Sequence, residues 1–153
     1  MIEIALYQPD IAANTGSIAR LCACFGLPLT IIEPAGFVWS DSSLRRAGMD
    51  YLDKVELSRA ASWDAFRAQQ AERRLVLLST KAETAHTDFQ FKTGDVLLFG
   101  RESSGVPSEV RAACAGVTIP MRPGLRSLNV AMAASIVVSE AMRQLQMFQR
   151  FTS

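Results

Sequence analysis

IPMRPGLRSLNVAMAAS, residues Ile119 to Ser135, is the stretch on which the fold turns. It opens on the end of a short strand predicted over 117–120. Pro120, Pro123 and Gly124 then hold a stiff turn that carries Arg122 and Arg126. Ser127 is placed to cap a helix, and Asn129 falls in its first turn. That helix is predicted from Ser127 to Phe148. Its segment VAMAASIVV, 130–138, is apolar on all sides, so it is buried all round, in the core or against another subunit. Arg122 and Arg126 stand over its N-terminal end, where free N–H groups and guanidinium donors could meet one anion or a cofactor's polar tail.

Working outward, EIALYQ (3–8) is a short apolar strand. NTGSIARLCACFG (14–26) is a helix: Ile18, Leu21, Cys22 and Phe25 recur at i, i+3, i+4 and i+7, and Gly26 is a natural stop. LPLTIIE (27–33) is a second buried strand, SDSSLRRAGM (40–49) a short capped helix and DKVELS (53–58) a strand. SWDAFRAQQAE (62–72) is a helix capped by Ser62. RLVLLST (74–80) and DVLLFG (95–100) are strands, and PSEVRAACA (107–115) is a helix opening on proline. Strands rich in Val, Ile and Leu that alternate with helices predict an α/β fold, a mostly parallel sheet flanked by helices. No repeat or linker divides the chain, so residues 1–153 read as a single domain.

Composition narrows the function. Sixteen Lys and Arg against 15 Asp and Glu leave a formal charge of +1, so a nucleic-acid partner must be served by a local patch. MIEIALYQPD reads as a strand and lacks the basic segment and cleavage site of a signal peptide, and no apolar run reaches the roughly 18 residues of a membrane span. A cytoplasmic protein is expected. Cys22, Cys24 and Cys114, with the lone His86, offer neither a disulfide framework nor a metal set. The dinucleotide fingerprint after the first strand and the phosphate-binding P-loop are both missing. No serine sits in the nucleophile-elbow register, and a Ser-His-Asp triad would have to use His86, in a loop.

Four loops that follow strands remain, and in an open parallel sheet such loops gather around one crevice. In PDIAANTGSIAR, Asn14, Thr15 and Gly16 suit a helix N-terminus. Arg20 has no carboxylate at i±3 or i±4 and is available for a phosphate or for catalysis; a solvated arginine is the plainer alternative. LLSTKAE leaves a buried strand at Leu78. In LLFGRESSGVP, Gly100 and Gly105 permit close backbone approach, and Glu102 is a cap, a ribose or amine binder, or simply a solvated turn residue. The fourth loop is the opening stretch.

These segments, in this order, resemble the SPOUT superfamily of methyltransferases, and within it the TrmL-like tRNA (cytidine/uridine-34) 2′-O-methyltransferases. The likeness rests on LYQPDIAANTGSIARLC, IIEPAGFVW, LRRAGMDY, LLFGRESSGVP and IPMRPGLRSLNVAMAASIVVSEAMRQL, nearly the whole chain. The chain departs from the group at Arg101, where a proline is frequent, and at Ser139, where a tyrosine is common. The resemblance implies a deep C-terminal trefoil knot over residues 74–148 and a homodimer that binds S-adenosylmethionine. It implies a cofactor site at Leu78, Gly100, Glu102, Ile119, Ser127 and Leu128. It implies catalytic roles for Asn14, Arg20, Glu102, Ser127 and Asn129, with Arg20 helping to activate the ribose 2′-hydroxyl of the tRNA wobble nucleotide. A patch of Arg20, Arg45, Arg46, Arg101, Arg122 and Arg126 is expected to hold the tRNA.

That chemistry suits the residues. Methyl transfer from a sulfonium is an in-line displacement that needs no metal, so positioning and desolvation carry much of the rate. Arginine, with a pKa above ~12, acts by electrostatic stabilisation rather than as a base. The rival readings are an rRNA 2′-O-methyltransferase of the same fold, a non-catalytic RNA-binding module, and a phosphate-binding α/β protein resting on the Asn14–Gly16 helix start.

Overall fold

The computed structural model describes residues 1–46 and 50–152. Its strands are β1 (Glu3–Tyr7), β2 (Leu29–Ile32), β3 (Leu57–Ala60), β4 (Leu75–Leu78), β5 (Val96–Phe99) and β6 (Ala115–Val117). They form one sheet in the order β3-β2-β1-β5-β4-β6, and every pairing is parallel. The helices are α1 (Ala12–Phe25), α2 (Asp41–Arg46), α3 (Trp63–Gln70), α4 (Ser108–Ala112) and α5 (Val130–Gln144).

The strands are nearly all apolar because both sheet faces are covered, and successive side chains alternate between two cores. Ile4, Leu6, Val76, Leu97 and Phe99 share one core with Ile18 and Cys22 of α1 and Val137, Val138 and Met142 of α5. Ala5, Tyr7, Leu75, Leu77, Val96 and Leu98 face the other core, with Phe66 of α3 and Val110 of α4. Each fully buried Leu, Ile, Val or Phe contributes about 1.5–3 kcal/mol relative to exposure. Burial pushes the Cys22 thiol up to about 12, so it behaves as a small apolar residue.

The amino-terminal edge of the sheet is tied by ion pairs. Arg74 grips buried Asp95 with two bonds of 2.9 and 2.7 Å, and the Lys92 N–H donates to the same carboxylate at 2.8 Å. Arg73 pairs with Glu3, which also accepts from Thr30 Oγ1 at 2.8 Å. At the far end of α5, Gln144 fastens the long segment between β4 and β5. Its Nε2 donates to the Phe89 carbonyl at 2.9 Å and its Oε1 accepts from the Phe91 N–H at 3.0 Å.

Several boundaries differ from those predicted. The strand expected at 53–58 begins only at Leu57, after a 3-10 turn over Leu52–Lys54, because the polar start of DKVELS offers nothing to bury. The last strand is Ala115–Val117, not 117–120, since β6 must align with Val76–Leu78. The helix expected over 40–49 is described for Asp41–Arg46; Ala47–Met49 lie outside the described residues. α1 begins two residues earlier than predicted, at Ala12, which places Asn14 inside its first turn.

The most telling correction concerns α5. Ser127 does not cap it; Asn129 does, its Oδ1 accepting from the Ala131 and Met132 N–H groups at 2.9 and 3.3 Å. The helix ends at Gln144 rather than Phe148, and a 3-10 turn over Met147–Phe151 follows. Nor is it buried all round within one chain. Met132 and Ile136, four apart, are 63% and 38% exposed, and Leu128, just before the helix, is 39% exposed.

Candidate active site

The loops after β1, β4, β5 and β6 meet at the carboxyl ends of the strands around a cleft of about 500 Å³. That lies within the roughly 300–1,000 Å³ range of small-ligand sites. Its wall includes apolar Leu78, Phe99, Ile119 and Leu128, and it borders the start of α5 at Asn129 and Val130.

Local sequence explains the shape of the loop after β5. Arg101 and Gly105 exchange backbone hydrogen bonds of 3.1 and 2.9 Å, which folds RESSG back on itself. A Cβ on Gly100 would lie 2.9 Å from the Gly105 carbonyl carbon, so this pinch requires glycine. Arg101 braces the loop from outside. Its Nε donates to the Gly105 carbonyl at 3.1 Å, its Nη1 donates to Gln8 Oε1 at 3.2 Å, and the guanidinium lies 5.3 Å from the Tyr7 ring centroid. The loop thereby presents Glu102 inward.

From Glu102 a hydrogen-bond chain crosses the site. Glu102 Oε2 accepts from the Asp10 N–H at 3.0 Å and Oε1 from Asn14 Nδ2 at 3.4 Å. Asn14 Oδ1 in turn accepts from Asn129 Nδ2 at 3.0 Å. Three segments distant in sequence are thus joined through side chains alone. Burial, with the Asp10 carboxyl beside it, holds the Glu102 carboxyl above its ordinary value. The hydrogen bond from Glu102 holds Asp10 below its own.

Of the residues singled out in the sequence, Asn14, Leu78, Gly100, Arg101, Glu102, Ile119, Ser127, Leu128 and Asn129 all line this cleft. The remaining arginines do not. Arg20 sits midway along α1 with its guanidinium 4.8 Å from the Tyr51 ring centroid. Arg45 and Arg46 are exposed at the end of α2, and Arg122 and Arg126 are exposed in the turn before α5. Sequence reasoning passed over Lys81, Arg111 and Met121, which also line the cleft. Arg111 is half-buried, and its Nε is enclosed without a partner among the described residues. Asp10 was overlooked as an individual residue too; its signal was a carboxylate two residues before a helix that opens without a side-chain cap.

Residues 1–139 match the model of the SpoU rRNA methylase family. The chain belongs to the SpoU rRNA methylase family. The SpoU chain is 62% identical over 144 residues to a tRNA (cytidine(34)-2′-O)-methyltransferase of Beijerinckia indica, covering 92% of this chain and 90% of that protein. It superposes with a TM-score of 0.91, at 41% identity, on a structure described as giving structural insights into the 2-OH methylation of C/U34 on tRNA, covering 95% and 97% of the two chains. An AdoMet-bound rRNA methyltransferase from Sinorhizobium meliloti is more distant, at 27% identity and a TM-score of 0.82; this chain spans 56% of it. The expected SPOUT-type fold and methyltransferase membership are therefore met.

Proposed function

We propose that this protein methylates the ribose 2′-hydroxyl of the wobble nucleotide, position 34, of tRNA, with S-adenosylmethionine as the methyl donor. The observation that carries this reading is 62% identity, over nearly its whole length, to an enzyme named for that reaction. An rRNA substrate is less favoured, because the rRNA enzyme it resembles shares 27% identity and is far longer.

The cleft suits the cofactor. Its apolar wall at Leu78, Ile119 and Leu128 fits a nucleoside, and the enclosed, partnerless Arg111 Nε supplies a donor for a polar group. Leu78, Gly100, Glu102, Ile119, Ser127 and Leu128 would hold it, and once bound it supplies an electrophilic methyl group. The protein's own part is positional. The Glu102–Asn14–Asn129 chain fixes the N-terminus of α5 against the loop after β5, so the reacting groups meet in one geometry. Arg20 stabilises the developing alkoxide electrostatically, while the proton leaves to solvent or phosphate.

Arg20 is not among the residues that line the cleft of its own chain, so this role calls for a second copy. The exposed stripe of Leu128, Met132 and Ile136 supports a homodimer that buries α5 and delivers Arg20 from one chain to the cleft of the other. Arg45, Arg46, Arg101, Arg122 and Arg126 would then grip the tRNA backbone.

The whole of 1–153 acts as one cytoplasmic domain in this reading, with the knot over 74–148. In support of the knot, the segment between β4 and β5 is bound to Thr118 through Thr84 and His86 and to α5 through Gln144. Among the described residues no helix is long and apolar enough to cross a membrane. The test is methylation of purified tRNA and rRNA transcripts, with mass spectrometry of total tRNA from cells lacking the protein. Loss of the 2′-O-methyl at position 34 is expected; labelling of rRNA alone would overturn the proposal.

A further inference from the structure

The outer oxygens of the Asp10–Glu102 pair do not balance as two carboxylates. Asp10 Oδ2 accepts from Ser103 Oγ, but Oδ1 is enclosed and has no donor among the described residues. The two residues nevertheless stand side by side: the Asp10 N–H donates to Glu102 Oε2 at 3.0 Å. An enclosed acceptor without a donor is destabilising, and a proton on Glu102 removes that cost by supplying the missing donor.

Lys81 and Arg111 line the same cleft, but among the described residues neither carboxyl forms an ion pair. Around the pair, α1 contributes uncharged Asn14 and α5 uncharged Asn129. The loop after β5 contributes Ser103, while its Arg101 is turned away onto Gln8, Gly105 and Tyr7. From behind, the loop after β2 presses on Asp10: a Cβ on Gly36 would lie 2.6 Å from Asp10 Cβ, and the Gly36 N–H donates to the Pro9 carbonyl at 2.8 Å. Asp10 is therefore held in place from three sides.

We propose that Asp10 is a positioning residue whose carboxylate accepts a hydrogen bond from a protonated Glu102, so that the pair carries one proton and one negative charge and aims Glu102 at Asn14. Its backbone N–H and its side chain then act on the same carboxyl from two directions. Glu102 is left with a single orientation, and through Asn14 and Asn129 this sets the mouth of the cleft at α5. The catalytic significance rests on the reading of Glu102, Asn14 and Asn129 given above. The proton arrangement does not.

The proposal is tested by titrating the Glu102 side-chain carboxyl by 13C NMR in the full-length protein without substrate, so that the result is independent of any failure to methylate tRNA. In the wild type the midpoint is expected above the ordinary carboxylate value of about 4.3. Asp10→Asn removes the neighbouring charge and lets an amide donate to Glu102, and should lower the midpoint by about half a pH unit or more. Gly36→Ala leaves both carboxyls chemically intact but displaces Asp10, and should shift it in the same direction. Coincident midpoints in the wild type and Asp10→Asn, or a wild-type midpoint at the ordinary value, would overturn the proposal.

Discussion

Asn14 and Asn129 stand 115 residues apart in the chain, yet Nδ2 of one lies 3.0 Å from Oδ1 of the other. The same Asn129 side chain caps α5, so one amide serves both the stability of a helix and the geometry of the cleft.

The two roles separate by substitution. Asn129→Ala should cost about 1 kcal/mol of stability through the lost cap, read by thermal unfolding, and should weaken S-adenosylmethionine binding. Asn129→Ser keeps a capping oxygen but cannot reach Asn14. It should recover most of the melting temperature without recovering the affinity. Parallel recovery of both would argue against the link to Asn14.

Arg20→Ala should lower kcat by about 100-fold or more while retaining dimerisation and most cofactor affinity. If Arg20 serves the opposite cleft, mixing Arg20→Ala chains with Asn129→Ala chains should restore part of the activity, because one cleft in each mixed dimer is then intact. Mixed dimers no more active than either parent would place Arg20 in its own chain's cleft.

Ile136→Asp puts a charge in the exposed apolar stripe of α5, at a position 38% exposed in the single chain. Sedimentation should show monomers with an unchanged circular dichroism spectrum, and methylation should be lost with the dimer. A monomeric wild type would contradict the assembly.

The carboxyl pair also predicts a pH dependence. Glu102 is raised in the folded state, so its contribution is fully present below the unfolded value near 4.3 and is lost as pH rises through its folded value. Asp10 is lowered, so its contribution is present above its unfolded value and fades as pH falls through its folded value. Glu102→Gln should therefore match the wild type in acid and exceed it in stability above the folded Glu102 pKa. Denaturant melts across pH 4 to 8 would check this, and a constant difference would count against a shared proton.

Asp95→Ala leaves the half-buried Arg74 guanidinium and the Lys92 N–H without their acceptor at the amino-terminal edge of the sheet. A loss of roughly 2–4 kcal/mol is expected in urea melts, with cofactor affinity little changed, since this edge is opposite the cleft.

Much of this was legible in the sequence, for identifiable reasons. Runs such as LVLL and VLLF announce strands buried on both faces, and Ser62 opens one helix and Gly26 closes another where local chemistry says they must. Sheet register was not legible: β6 is shifted by the need to align with β4, which is a tertiary demand. The start of α5 was misjudged because Ser127 and Asn129 are both competent caps, and only the contact with Asn14 favours the second. Asp10 escaped for a similar reason. Its partner lies 92 residues away, beyond any local pattern.

α5 is held by a carboxamide at each end, Asn129 at its start and Gln144 at its finish. A helix gripped this way is indexed along its axis. Each residue advances it by about 1.5 Å, more than a hydrogen bond tolerates. A single residue inserted or removed between the two grips would break one of them, whatever its chemistry. α5 should accordingly accept changes of side chain on its outer face far more readily than changes of length, serving as a ruler between the cofactor cleft and the segment it fastens.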